Sequence, residues 1–565
     1  MKLLLISEEL LKKRPWLRYY DSVVSPTINY PTFPAQEILR NTANVEGDKA
    51  ATWFYGTEIT FWELYMTVIR LSNTLIDLGV KKGDRIGIFL PNSPQFVIAY
   101  WAIISVGAIV VNINPLSAKD ELRFIVENTG MNGILSFDMV LPNLRAVLEE
   151  VDIPLVIVTR LTDFVNGAGV STREELGLNE GWHHFSELLE ASTNTVPVRV
   201  PISQSDPAVI QFTGGTTGVP KGAVLTHRNI VVGTYCVEMW GIGIVGRMPT
   251  SRRFVLCTLP YFHVYGEVVA MCYSVQTAST QVILPRFDPD EVMNTIAAFK
   301  EFSFWPCVPT MLTAVLNHPR AAEIDFAKRF ALINNGAAPC PLELIKKAND
   351  MNIFLSEGWG MSETTSLGIT QPIQGTKKAL SIGIPYPDTD IKIVDSQTGE
   401  EVKQGETGEI LMKSPLVMKE YWNNPVETAN QLKDGWLHTG DLAYMDEEYY
   451  IFIVDRSKDM IIAGGFNIYP RDIDEVLFKH PQVKDVITVG IPDSYRGETV
   501  KSFVQLIEGA SVTAEELIAY CREHLTAYKV PRSIEFRSEL PRSAVGKAFR
   551  RILRDEEISK MKKEG

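Results

Sequence analysis

Residues 212–222, Phe-Thr-Gly-Gly-Thr-Thr-Gly-Val-Pro-Lys-Gly, constrain this chain more than any other stretch. Gly214, Gly215 and Gly218 let successive backbone N–H groups turn toward a common point. Thr213, Thr216 and Thr217 add hydroxyls, and Lys221 adds a mobile positive charge. Such a concavity suits an oxyanion, a polyphosphate above all. It is not a Walker A loop, because Pro220 precedes the lysine and Gly222 follows it, leaving no adjacent hydroxyl for magnesium. A flexible Gly/Thr connector would share this composition. The apolar runs Ala208-Val209-Ile210 and Val224-Leu225 argue against one, since a loop between two buried segments is held in shape.

At 565 residues the chain exceeds a single core, at roughly 100–200 residues per domain, so several subdomains are expected. The formal charge of −13 with no basic block makes nucleic acid a poor partner, because phosphate contacts need clustered Lys and Arg. Any nucleotide would need locally gathered positive charge. The cysteines (Cys236, Cys257, Cys272, Cys307, Cys340, Cys521) form no Cys-x-x-Cys pair and read as buried residues of a reducing compartment. The first six residues are too short an apolar stretch for a signal segment before Glu8 and Glu9. The most membrane-like segment, Phe96 to Val111, falls short of the ~20 residues a bilayer span needs. Ser105 and Gly107 interrupt it, so it reads as a buried helix followed by a strand, and the chain as soluble and cytoplasmic.

Arg85–Leu90 reads as a strand, residues 91–94 as a turn and helix start, Phe96–Ser105 as helix and Ala108–Ile113 as strand. Apolar strands recur at Gly133–Ser136, Leu155–Val158, Phe254–Leu259, Gln281–Leu284 and Ala331–Asn334. Strands of this kind separated by helical stretches predict layered α/β structure with mostly parallel sheets. Residues 160–205 read as a surface excursion, and about 380–455 as a small β-barrel or sandwich of short strands and tight turns. The charged run 455–459 reads as a solvated linker, followed by a domain-sized unit with a capping box at Thr513 and Glu516. The expected class is therefore α/β: residues 1–455 as a large domain of layered α/β subdomains with the barrel, 456–459 as a hinge, and 460–565 as a smaller, mobile α+β domain.

Several weaker clusters carry chemistry. Gly336, Ala337 and Ala338 follow a buried strand and would let a flat group approach the backbone; a tight strand-to-helix turn reads the same way. In residues 357–364, Glu357, Gly358, Trp359, Gly360, Met361, Ser362, Glu363 and Thr364, an aromatic face lies between glycines beside a carboxylate able to hold a hard cation. An ordinary turn with a solvated glutamate is equally consistent. Asp441 sits in a turn of small residues where it could accept two hydroxyl protons from a ribose, and Arg456 follows fifteen residues later. A turn cap and a surface ion pair are their bland counterparts. His263 lies among aromatics, a setting more typical of a packed core histidine, and Lys547 follows Gly546 as a surface lysine would.

Taken together, the order and spacing of these clusters resemble the adenylate-forming superfamily of acyl-CoA synthetases, luciferases and peptide-synthetase adenylation domains, over about residues 50–550. Within it, the stretch Asp434 to Asp441 with Asp455 and Arg456 is similar to the fatty acyl-CoA synthetase signature. The chain departs from the family pattern at Gly214, where serine is usual, at Trp359 for tyrosine and at Ser362 for threonine. The resemblance implies that Thr213 to Lys221 grip the ATP phosphates, that Gly336 to Ala338 with Trp359 frame the adenine, that Asp441 and Arg456 bind the ribose, and that Glu357 to Ser362 and Ile453 belong to the same nucleotide-binding set. Glu363 would hold Mg²⁺, with Thr213. Lys547, His263, Glu363 and Thr216 form the implied catalytic group, Lys458 the hinge, and Gly464, Gly465 and Phe466 the lining of a coenzyme A tunnel.

The implied activity is conversion of a fatty acid to acyl-AMP and then to acyl-CoA, with ATP, Mg²⁺ and coenzyme A as cofactors or substrates. Tyr261, Phe262, Tyr265, Trp305 and residues 302–308 suggest an apolar acyl pocket, which is equally a description of core. Ligases of aromatic or short acids such as coumarate, luciferase-like oxygenases, peptide-synthetase adenylation domains and a non-enzymatic nucleotide binder remain alternatives. Peripheral membrane contact and the choice between monomer and homodimer stay open.

Overall fold

The computed structural model describes residues 6–213, 220–456, 459–463, 466–493, 496–543 and 546–564. Strand Pro207–Thr213 returns antiparallel as Lys221–Thr226, with Thr213 opposite Lys221 and Gln211 opposite Ala223. The strands that flank residues 214–219 thus pair with each other, whereas a P-loop leads from a strand directly into a helix. Ala208, Val209, Ile210, Val224 and Leu225 are fully buried, as the flanking apolar runs predict.

This hairpin belongs to an eight-stranded sheet. Pro207–Thr213 pairs parallel with Ile109–Asn112, which pairs with Arg85–Phe89, then Gly133–Phe137 and Leu155–Thr159. Helix Pro94–Ser105 is buried along its length to Ile104. Proline opens it and the Ser93 hydroxyl accepts from the Phe96 N–H at 3.2 Å, satisfying an orphan donor of the first turn. Two further sheets complete the large layered unit. Phe254–Cys257, Thr280–Ile283 and Ala50–Phe54 pair in parallel, as do Trp305–Cys307, Ile333–Asn335 and Leu355–Trp359. Mostly parallel strands under helices bury both faces, which is why the strands read as continuous apolar runs.

Residues 380–455 supply a small antiparallel unit. Asp390–Val394, Gly408–Lys413, Trp436–Met445 and Ile451–Arg456 pair in succession, and bulges near Ile410 and Leu442 curl the sheet. From Ile461 a separate core forms around Ile461, Ile473, Leu477, Val486, Val504 and Leu517. It packs beneath the long hairpin Val483–Asp493/Gly497–Leu506, and helix Ala514–His524 begins with the expected capping box.

Two expectations need correction. The 160–205 excursion is not wholly superficial: His183–His184 extends the edge of the large sheet, and helix Phe185–Ala191 buries Phe185 and Leu189, an i,i+4 apolar pair. Nor does a solvated linker begin at Asp455. The strand runs through Arg456, and Asp455 is 5% exposed, accepting hydrogen bonds from the N–H groups of Arg456 and Arg471. Lys458 lies outside the described residues.

Candidate active site

A cleft of about 1020 Å³ opens where the hairpin, the small antiparallel unit and the last residues of the chain converge. Thr213, Lys221, His263, Gly336, Ala337, Gly358 to Glu363, Asp441, Arg456 and Lys547 all line it. These residues are separated by up to several hundred positions, so their convergence is a property of the fold. Ala338, Glu357 and Ile453, expected among the nucleotide-binding residues, do not line it. The Glu357 carboxyl is instead pushed up to about 7 by burial beside Cys340, and Ile453 offers its backbone carbonyl to Arg471. Gly214, Gly215, Thr216, Thr217, Gly218, Gly464 and Gly465 lie outside the described residues. Phe466 opens a short strand, with its backbone opposite Ala463.

Sheet register explains why Asp441 and Arg456 meet. Asp441 and Arg456 stand opposite one another across the Trp436–Met445/Ile451–Arg456 ladder, and the guanidinium Nε lies 3.3 Å from the Asp441 carboxylate. Trp359 adds a contact that its expected stacking role does not anticipate: its indole N–H donates to Asp441 Oδ2 at 2.8 Å. The tryptophan therefore fixes the acid as well as presenting a ring. Gly360 admits no side chain, because a Cβ there would lie 1.8 Å from the Ser366 carbonyl oxygen. Ala337 holds a left-handed φ of 66°, a strained conformation of the kind concentrated at functional sites.

Glu363 is 6% exposed, and Tyr421 donates to its Oε1 at 2.6 Å. The same tyrosine ring lies 5.3 Å from the Lys221 ammonium, which is paired with Glu427. Lys221 is thus tethered in this structure, contrary to its expected mobility, because an acid from helix Pro425–Gln431 neutralises it.

Lys547 reaches the cleft from the C-terminal unit. Burial and the Arg456 charge lower its pKa to about 8, against the opposing pull of Asp441, Asp459 and Glu363. His263 is pushed down to about 4 by burial and by Lys547. Its Nδ1 accepts the Tyr265 N–H at 3.2 Å, so the neutral ring carries its proton on Nε2.

A family model described as AMP-binding enzyme matches residues 39–422, and one described as AMP-binding enzyme C-terminal domain matches residues 472–547. The chain belongs to the AMP-binding enzyme family. It is 38% identical over 558 residues to the long-chain-fatty-acid–CoA ligase of Bacillus subtilis strain 168, covering 96% of this chain and 98% of that one. It is 33% identical over 563 residues to the long-chain-fatty-acid–CoA ligase of Salmonella typhimurium strain LT2, covering 97% and 99%. Among solved structures, the o-succinylbenzoate CoA synthetase of Bacillus subtilis in complex with its acyl-adenylate intermediate is 27% identical, with a TM-score of 0.77 over 93% of this chain and 99% of that one.

In this AMP-binding enzyme the aromatic set divides. Phe262 and Tyr265 line the cleft, but Tyr261 and Trp305 are fully buried core residues. Their polar atoms are satisfied there: the Tyr261 hydroxyl donates to Gln281 at 2.9 Å and the Trp305 N–H to Thr258 at 3.0 Å. Tyr421 and Glu427 are site residues that the motifs did not flag. A signal existed in Asn424-Pro425, a cap and N1 proline that aim Glu427 toward the hairpin, but its target is two hundred residues away. Glu267 was missed as well, though a single acid within the apolar run 264–275 marks a paired, buried charge.

Proposed function

We propose that this AMP-binding enzyme activates a fatty acid as acyl-AMP, releasing pyrophosphate, and then transfers the acyl group to coenzyme A. The observation that carries the reading is the convergence of Lys547 with His263, Glu363, Asp441 and Arg456 in one cleft. The names of the two ligase relatives support the fatty acid as substrate and coenzyme A as acceptor.

A carboxylate attacking ATP meets the repulsion of a polyanion. Lys547 and the N–H groups of the 213–221 hairpin loop offset that charge as the carboxylate oxygen attacks the α-phosphorus and the bond to pyrophosphate breaks. Neutral His263 offers an Nε2–H donor to an oxygen of the reacting carboxylate or of the α-phosphate. Asp441, held by Trp359 and Arg456, accepts from the ribose hydroxyls. In the second step the coenzyme A thiol gives its proton to water, its sulfur attacks the acyl carbon, and AMP leaves with the electrons of the broken C–O bond. Glu363 suits Mg²⁺: it is a single buried carboxylate with Oε1 oriented by Tyr421, and Mg²⁺ characteristically takes one or two protein carboxylates beside substrate phosphates. When bound, the ion neutralises phosphate charge.

Residues 1–455 and 460–565 form the two domains of this reading, joined by a hinge at 456–459 around Lys458, with the Gly464–Phe466 segment lining the thiol path once the small domain rotates. The six buried, free cysteines support a reducing, cytoplasmic setting. No helix among the described residues is long and apolar enough to cross a membrane, and membrane contact, where it occurs, would be peripheral. Pyrophosphate release measured with a panel of carboxylic acids and coenzyme A tests the proposal. Fatty acids should give the largest kcat/KM; preference for an aromatic acid would move the chain to a coumarate-type ligase, and ATP binding without carboxylate-dependent turnover would make it a binder.

A further inference from the structure

Glu267 has no part in the mechanism above, yet it is a fully buried carboxyl in the π-helix Tyr265–Cys272. Its Oε1 accepts the Tyr100 hydroxyl at 2.9 Å, and its Oε2 accepts the Asn112 side-chain amide at 2.6 Å. The same Asn112 NH₂ donates to Gln211 Oε1 at 3.1 Å, and the Gln211 NH₂ donates to the Phe262 carbonyl at 3.0 Å. That carbonyl belongs to the peptide joining Phe262 to His263. The chain closes on itself, since the Glu267 N–H donates to the His263 carbonyl at 2.9 Å.

Every link in this series has a direction. An ionised carboxylate only accepts, so Asn112 must present its NH₂. Gln211 must then present its oxygen to Asn112 and its NH₂ to Phe262. The arrangement leaves Asn112 Oδ1 buried without a partner, as expected if donation toward both neighbours takes precedence. Reversing the chain would set the Gln211 oxygen against the Phe262 carbonyl oxygen.

We infer that Glu267 is a positioning residue that, through Asn112 and Gln211, sets the direction of a buried hydrogen-bond relay and so fixes the Phe262–His263 peptide beside the reacting centre. The inference deepens the proposed function and rests on its placement of His263. Burial lifts the Glu267 carboxyl to about 7, so at pH 8 the acceptor-only form dominates; Tyr100 and Cys272 are the titratable groups packed against it.

The test compares wild type, E267Q, Q211M and the double variant at pH 8 by carboxylate-dependent pyrophosphate release and by melting temperature. Glu267→Gln can donate and thereby reverses or frustrates the relay, whereas Gln211→Met deletes its last link without disturbing the buried acid. Each single variant should lower kcat about 10-fold, on the scale where a 1 Å misplacement costs up to ~10²-fold, with the KM for ATP changed less than about 2-fold. The double variant should be no slower than Q211M alone, because both changes break the same chain. Wild-type kcat in E267Q, or multiplying losses in the double variant, overturns the relay while leaving the proposed function standing. A wild type that turns over no carboxylic acid refutes the function instead. The relay is then judged by the infrared difference spectrum of wild type minus E267Q, where an ionised carboxylate at pH 8 supports it and a protonated acid overturns it. Should E267Q fail to fold, Q211M against wild type carries the same reading, with unchanged kcat as the overturning result.

Discussion

Asp441 and Lys547 face the same cleft but are held there by different physics. Asp441 is fixed by strand register: Arg456 is its ladder partner, and Trp359 donates to it from an adjoining sheet of the layered unit. Lys547 comes from a unit with its own core, and its short segment reaches the cleft through packing. Gly546 makes that approach possible. Its φ is +72°, and a Cβ there would lie 2.9 Å from the Thr310 hydroxyl of the large unit. One half of the site is therefore built into a sheet, while the other is a close contact between two bodies. A contact of that kind can be made for one half-reaction and withdrawn for the next.

Lys547→Ala should show this difference most strongly, with adenylate formation falling about 10³-fold, as when a group stabilising transition-state charge is lost. Thiolysis of a supplied acyl-adenylate should persist at near wild-type rate; equal loss of both half-reactions in rapid-quench assays would break the division between fixed and delivered halves. Gly546→Ala should act in the same direction but more weakly. Overpacking against Thr310 costs about 1–3 kcal/mol in the closed arrangement, so adenylation slows roughly 10-fold or more while thiolysis is spared.

The pH profile sharpens the comparison. Because the Lys547 pKa is lowered to about 8, an open form with a solvated lysine near the ordinary 10.5 binds more protons between those values. Raising pH through that window eases closure but discharges the lysine, so adenylation kcat/KM should decline above about 8, and the decline should vanish in Lys547→Ala. His263, lowered to about 4, stays neutral from pH 5 upward and should contribute no limb near 6.5. The smallest expected effect belongs to the fixed half. Trp359→Phe keeps a ring but loses the N–H to Asp441, worth ~1.5 kcal/mol for a charged acceptor, and should raise the KM for ATP about 10-fold with thiolysis unchanged.

Local patterns made much of this legible in the sequence. The Ser93-Pro94 and Thr513–Glu516 caps, the apolar strands flanking residues 213–221 and the Asp441-to-Arg456 spacing all depend on neighbours within a few turns or one hairpin. What escaped depends on partners far along the chain. Neither Tyr421 holding Glu363, nor Glu427 neutralising Lys221, nor the burial of Asp455 follows from periodicity. The aromatic run at 261–265 illustrates the limit: Tyr261 and Tyr265 have the same composition around them, yet one faces core and the other the cleft, a difference set by the turn between them and by the π-helix that Tyr265 opens.

The most direct test of the account is a crystal structure with Mg²⁺ and a non-hydrolysable ATP analogue. The triphosphate should lie against the 213–221 hairpin loop, with the Lys547 ammonium in hydrogen-bond reach of it and Asp441 accepting from the ribose. A triphosphate bound away from that hairpin, with Lys547 elsewhere, would contradict the joint neutralisation of phosphate charge by that loop and Lys547, on which both the chemistry and the comparison depend.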